Sequence, residues 1–248
     1  MRPSRRRAFA PSVALVVLLG CEPEPELEIG AAAALRPSVR ALLLPRCPKP
    51  AEQRGEATFY TFAHRMGNCS LEPVPGDMQV GALNTAQYAR SAACGACVRI
   101  AGPKGETTVR IVDRCPRCRH GDIDLSRAAF ERIADCAEGR VSIRWRFVPC
   151  AVRGQIRYHF ARSRYGWTAL QVRNHRHAVA KLEWLDGADR AVPLERQNHN
   201  YFTRVSKMGP GPYTLRVTDV HGNTLTDARV QDDSEEVAGS AQFPACAP

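Results

Sequence analysis

Ten cysteines constrain this 248-residue chain more than any other feature, at positions 21, 47, 69, 94, 97, 115, 118, 136, 150 and 246. What they form depends on where the chain goes. Its first residues, "MRPSRRRAFAPSVALVVLLGC", combine an Arg-rich start, a short apolar run and Gly20-Cys21. Residues 1–20 read as an export signal, with an apolar run too short to span a membrane. In an exported chain, cysteines read as disulfides. Two CxxC pairs, Cys94/Cys97 and Cys115/Cys118, lie 17 residues apart, which is also zinc-ribbon spacing. Oxidising surroundings and the other nearby cysteines favour sulfur–sulfur pairing.

"LLGC" resembles the lipobox of bacterial lipoproteins, although Leu19 is larger than the usual residue before the glycine. Cys21 is therefore a candidate lipidation site. The expected location is secreted, or lipid-anchored at the bacterial cell surface. Lipidated Cys21 leaves nine cysteines and one unpaired; otherwise five bridges are possible.

Losing residues 1–20 removes four Arg and no acid, so the formal net charge falls from +10 to +6. A moderately basic exported protein meets acidic polymers such as wall polysaccharides, teichoic acid or peptidoglycan. Nucleic acid is excluded as a partner by export and by the lack of any nucleic-acid motif. Hydrophobic content of 44% suffices for real cores.

The Pro-, Glu- and Ala-rich stretch 22–54 reads as a linker or tether. Residues 55–150 form a first domain, with strands in "GEATFYTF", "GACVRIAG", "TTVRIVD" and "VSIRWRFV". Val141, Ile143, Trp145 and Phe147 share one face of the last. "LSRAAFERIADC" reads as a helix capped by Ser126, with Phe130 and Ile133 inward. A short junction follows, then a domain at 153–230 with many short strands and recurrent turns, the pattern of a β-sandwich. Residues 231–248 read as a polar tail, pinned through Cys246. His175 and His177 read as a polar strand end, not a metal pair, and Trp184 as core-facing.

The stretch "DRCPRCRHGDIDLS" at 113–126 carries two aspartates, Asp113 and Asp124. Read with "GEATFYT", "GDMQVGALNTAQY", "ACGACVRI", "GPKGETTVRIVDRCP" and "GDIDLSRAAFERIA", in that order, it resembles the first domain of expansins, microbial ones especially. "VSIRWRFVPCAVRGQIRY" resembles the expansin domain junction and "WTALQVRNH" the start of the second domain. The likeness spans residues 55–230. It implies an all-β chain: a six-stranded double-psi β-barrel followed by an immunoglobulin-like, cellulose-binding β-sandwich. It also implies a monomer that loosens cell-wall polysaccharide (cellulose or hemicellulose, with peptidoglycan as a further partner) without hydrolysis.

Glycoside hydrolysis ordinarily needs two carboxyl groups, an acid and a base or nucleophile. The resemblance places the acid of related hydrolases at Asp124 and their base at Thr58, which cannot act as one. Glu56, Thr58 and Tyr60 share a strand face, so Glu56 is the only stand-in nearby. Thr58, Tyr60, Asp113 and Asp124 then form a polar groove with no catalytic residue established. Two alternatives remain: a wall-cleaving enzyme using Asp124, either an endoglucanase or a single-aspartate lytic transglycosylase, and a zinc-stabilised binding module. No cofactor or metal is expected under the main reading. Simpler roles exist for both aspartates: Asp113 as a turn cap and Asp124 as a charge ahead of a helix.

The same likeness implies disulfides Cys69–Cys94 and Cys97–Cys150, with one bond shared among Cys115, Cys118 and Cys136. It gives no basis for Cys47 and Cys246, which could join the two ends. For sugar stacking it implies an aromatic row in the second domain, here Trp167, Tyr165, His199 and Tyr201. Tyr165 as a turn residue and Tyr201 as half-core are the structural alternatives.

Overall fold

The computed structural model describes residues 47–48, 50–62, 66–72, 74, 76–162, 168–204, 208–231 and 236–246. The export segment, Cys21, most of the tether, Tyr165 and Trp167 lie outside these residues.

Six strands close a barrel: β1 (Gln53–Tyr60), β2 (Val80–Asn84), β3 (Cys97–Ala101), β4 (Glu106–Cys115), β5 (Ile123–Ser126) and β6 (Val141–Val148). They are hydrogen-bonded in the order β1-β5-β2-β4-β3-β6, and β6 returns to β1. The β1–β5 and β2–β4 pairs are parallel and the others antiparallel. In β6, Val141, Ile143 and Trp145 point into the core while Ser142 and Arg144 face water, as alternation dictates.

Two of these strands carry no such signal. β2 is buried at all five positions, and β5 at three of four. β5 also takes Leu125 and Ser126 out of the expected helix. That helix is corrected to a single turn, Arg127–Phe130. Ser126 does cap it, its side chain accepting from the Ala129 amide, and Phe130 and Ile133 are fully buried as expected.

The register of β1 on β5 depends on glycine. Gly121 has φ +90°, and a Cβ there would stand 2.0 Å from the Arg54 carbonyl oxygen. Only glycine allows the loop before β5 to lie this close to β1. The barrel begins at Gln53, inside the stretch assigned to the tether.

The second domain packs two sheets. They are built from β7 (Arg157–Arg162), β8 (Thr168–Arg173), β9 (Val179–Leu185), β10 (Ala191–Pro193), β11 (Glu195–Arg196), β12 (Phe202–Thr203), β13 (Tyr213–Asp219), β14 (Thr224–Val230) and β15 (Glu236–Ala238). One sheet runs β10-β9-β13-β14 and the other β11-β12-β8-β7-β15. Tyr158, Phe160, Leu170, Val172, Leu182, Leu215 and Val217 fill the space between them. Trp184 packs on this core from its edge, under the Arg204 guanidinium.

The polar tail expected from residue 231 is corrected to an edge strand and a core plug: β15 pairs with β7, and Phe243 is fully buried in the sandwich core. The tail is pinned through Cys246 as expected, by a bond to Cys47. An edge strand held through its backbone and one apolar plug leave little trace in a polar sequence.

Cys69–Cys94 and Cys97–Cys150 are bonded as the resemblance implies. Of the other three cysteines, Cys115 bonds Cys118, and Cys136 is the free thiol among the described residues. The zinc-ribbon quartet is thereby ruled out in this state, since its four sulfurs are spent in three different disulfides.

Barrel and sandwich are locked together by side chains reaching backbone carbonyls. Gln171 Nε2 donates to Cys69 O at 2.8 Å, Tyr88 Oη to Asn198 O at 2.7 Å, and Ser91 Oγ to Gln197 O at 2.7 Å. His175 is buried beside this junction, its Nδ1 2.8 Å from His177 O. A Cβ on Gly95 would stand 2.5 Å from its other ring nitrogen. Burial pushes the His175 pKa down to about 4, so the ring is neutral in ordinary conditions. This corrects its reading as a polar strand end.

Candidate functional site

Thr58 and Asp124 are direct partners in the parallel β1–β5 ladder. The Thr58 hydroxyl donates to Asp124 Oδ1 at 2.6 Å. Burial pushes the Asp124 carboxyl above its ordinary range. The Thr58 bond and the Arg117 and Arg140 guanidiniums pull it back, and the Asp113 charge adds to the rise. Asp124 is thus a half-buried carboxyl that takes up a proton more readily than a free aspartate.

Glu56, the stand-in base, is engaged elsewhere. Its carboxylate pairs with Arg140 at 2.9 Å, and its amide donates to Asp122 Oδ1. Tyr60 lies on the same strand face. Its hydroxyl is buried and has no hydrogen-bond partner among the described residues. Burial, then Asp113 and Asp124, push its pKa well up, so it keeps its proton. It is a donor with unused capacity beside two carboxyls.

Asp113 holds the backbone around it. Its Oδ1 accepts from the Asn68 amide at 2.6 Å and from the Arg114 amide at 2.7 Å. Asn68 in turn donates through Nδ2 to Asn198 O at 2.9 Å. A short polar chain therefore runs from the barrel aspartate to the sandwich loop that carries His199 and Tyr201.

That loop, between β11 and β12, turns at Asn200 with φ +68°. The turn brings the His199 and Tyr201 rings together, with centroids 5.4 Å apart at 38°. His159, on β7, joins them at 6.0 Å from Tyr201. Its neighbours in β7, Tyr158 and Phe160, point into the core, so His159 takes the opposite sheet face. Sequence reading missed His159; the alternation of β7 around it was the available signal.

A family model described as "Lytic transglycolase" matches residues 80–145. A curated relative, Expansin-YoaJ of Bacillus subtilis, is 32% identical over 202 residues, covering 77% of this chain and 86% of its own length. The chain belongs to the expansin family. Its structure resembles that of the apo expansin of Clavibacter michiganensis, with TM-score 0.73 and 29% identity over 78% of this chain and 98% of that one. A mutant of the Clavibacter expansin in complex with cellohexaose matches with TM-score 0.72 and 28% identity, over the same shares.

In this expansin a cavity of about 390 Å³ lies where barrel and sandwich meet, lined by Leu71, Arg110, Val112, Arg173 and His175 among others. It contains none of Thr58, Asp113 or Asp124.

Proposed function

We propose that this expansin binds wall glucan along the surface running from Thr58, Tyr60, Asp113 and Asp124 to His159, His199 and Tyr201, and loosens the wall without cutting it. One observation carries this reading. Where the two-carboxylate mechanism needs a base opposite Asp124, a threonine hydroxyl is bonded to it instead. The nearest other carboxylate on that strand face, Glu56, is turned to Arg140 in a solvent-exposed ion pair. Binding energy spread along such a surface competes with glucan–glucan contacts, so no covalent step is required. The cellohexaose complex of the Clavibacter expansin supports a cellulose-type ligand. Trp167 and Tyr165 are proposed to extend the aromatic row. The protein is proposed to act as a monomer outside the cell, secreted or held by lipid on Cys21; mass analysis of the N-terminal peptide tests the anchor.

A second reading is favoured by the "Lytic transglycolase" match and by the raised pKa of Asp124. A single carboxyl can donate its proton to the leaving oxygen and then, as carboxylate, take the proton of the glycan's own hydroxyl as that oxygen attacks the anomeric carbon, leaving an anhydro-sugar. Long incubation with cellulose and with peptidoglycan, followed by mass analysis of soluble products, separates the two. No product above an Asp124→Ala control supports loosening without cleavage. Anhydro-muropeptides establish the transglycosylase reading, and reducing-ended glucans establish hydrolysis.

A further inference from the structure

Four metal-ligating side chains meet at a place that shares no residue with the proposed groove. Cys47, His177, His221 and Cys246 each bring one ligand atom, and these atoms lie within 4.8 Å of one another. They come from distant parts of the chain. Cys47 precedes β1, His177 precedes β9, His221 lies in the β13–β14 turn and Cys246 follows the buried plug Phe243.

We infer that, once the Cys47–Cys246 disulfide is reduced, these four residues bind a zinc-class divalent ion as a Cys2His2 site. Thiolates on a tetrahedral zinc lie about 2.3 Å from it, hence about 3.8 Å from each other and about 3.6 Å from a bound imidazole nitrogen. His177 Nε2 already stands 3.8 Å from Cys246 Sγ. The Cα atoms of the two cysteines are 5.3 Å apart, so their sulfurs can separate by rotation about the side-chain bonds. The His177 and His221 rings are edge to face, with centroids 4.7 Å apart.

The histidines are also positioned from behind. The His221 turn is held by Asp219, whose Oδ1 accepts from the His221 and Asn223 amides. His177 is buried, which limits the motion of its ring. Loading the ion replaces the 3.0 Å contact of His177 Nε2 with the Pro244 carbonyl. That carbonyl belongs to a half-exposed residue and can turn to water.

The chemistry balances with a dithiol reductant. Its two sulfurs close to a disulfide as two electrons and two protons pass to Cys47 and Cys246. The ion then displaces the two thiol protons and adds the two neutral imidazoles. The tie between the entry to the barrel and the end of the sandwich thus persists in either redox state, through sulfur when oxidised and through metal when reduced.

Cobalt(II) is the probe, because tetrahedral cobalt with thiolate ligands has visible d–d bands and a sulfur-to-metal charge-transfer band. The purified protein is reduced mildly with a phosphine, the reductant is removed, and alkylation mapping identifies which cysteines have opened. Expected are thiolate–cobalt bands saturating at one ion per chain, displaced by zinc. The bands should be lost in Cys246→Ser and in His221→Ala, and kept when Cys115 and Cys118 are both Ser. His221 is partly exposed, so that variant should keep the wild-type melting temperature in the oxidised state. The proposal is overturned if no bands form with Cys47 and Cys246 open, if they persist in either His177→Ala or His221→Ala, or if they follow Cys115 and Cys118. A fold that collapses on reduction even with metal present overturns it too.

Discussion

Thr58 and Asp124 face each other across the parallel β1–β5 pair, and the threonine hydroxyl is a 2.6 Å donor to the carboxylate. The bond favours the charged form of a group that burial is pushing toward neutrality. Thr58→Val removes the donor and keeps the shape. We expect the Asp124 pKa to rise further, wall loosening to fall several-fold, and stability to change by only about 1 kcal/mol, since the half-exposed carboxylate recovers part of its hydration from solvent. Carboxyl NMR titration beside a wall-creep assay checks this; an unmoved pKa would show that the bond is not formed in solution.

The same carboxyl predicts a pH dependence of stability. Its folded pKa lies above the ordinary aspartate value of 3.8, so the folded state binds the proton more tightly than the unfolded state. Its stabilising contribution is fully present below 3.8 and is lost as pH rises through the folded value. Asp124→Asn keeps an oxygen to accept from Thr58 and does not titrate. Relative to the native protein, that variant should gain melting temperature as pH rises through the folded value, while wall loosening is lost. A difference that does not vary with pH would disprove the linkage.

Much of this architecture was legible in the sequence. Alternation located β1, β3, β4, β6 and most sandwich strands, because each has one face in a core. It could not locate β2, which is buried throughout, or β15, which is held by backbone pairing at a sheet edge. Motif order brought Thr58, Asp113 and Asp124 together. The bridge from Asn68 to Asn198 was out of reach, because two polar residues 130 positions apart leave no periodic trace.

Tyr88 is 1% exposed and serves as a hub between the domains. Its hydroxyl accepts from Asn68 Nδ2 at 2.7 Å and donates to Asn198 O at 2.7 Å. Tyr88→Phe leaves those partners without it, at a cost of roughly 1–2 kcal/mol. A lower melting temperature and faster proteolysis near residues 151–155 are expected. If stability is unchanged, water satisfies these groups and the domains are less firmly joined than the hydrogen bonds indicate.

The Cys47–Cys246 bond closes 199 residues of sequence. Long closures restrict the unfolded chain most, although the other disulfides already shorten the effective loop. Cys246→Ser should cost about 2–4 kcal/mol in urea unfolding under oxidising conditions. A smaller effect would show that β15 and Phe243 hold the end of the chain without help.

The final prediction separates holding the glucan from acting on it. His159, His199 and Tyr201 cluster on the sandwich, whereas Asp124 lies in the barrel. A sugar face gains by covering an aromatic ring, since its C–H groups meet the π face and both surfaces shed water. Tyr201→Ala should therefore weaken cellulose binding by about 1 kcal/mol, roughly fivefold, and Trp167→Ala by at least as much. Asp124→Ala should leave binding nearly intact and abolish loosening. Binding isotherms and creep assays on the three variants give the comparison. Equal loss of binding in all three would mean that the barrel itself grips the polymer, and the division of labour between the two domains would have to be abandoned.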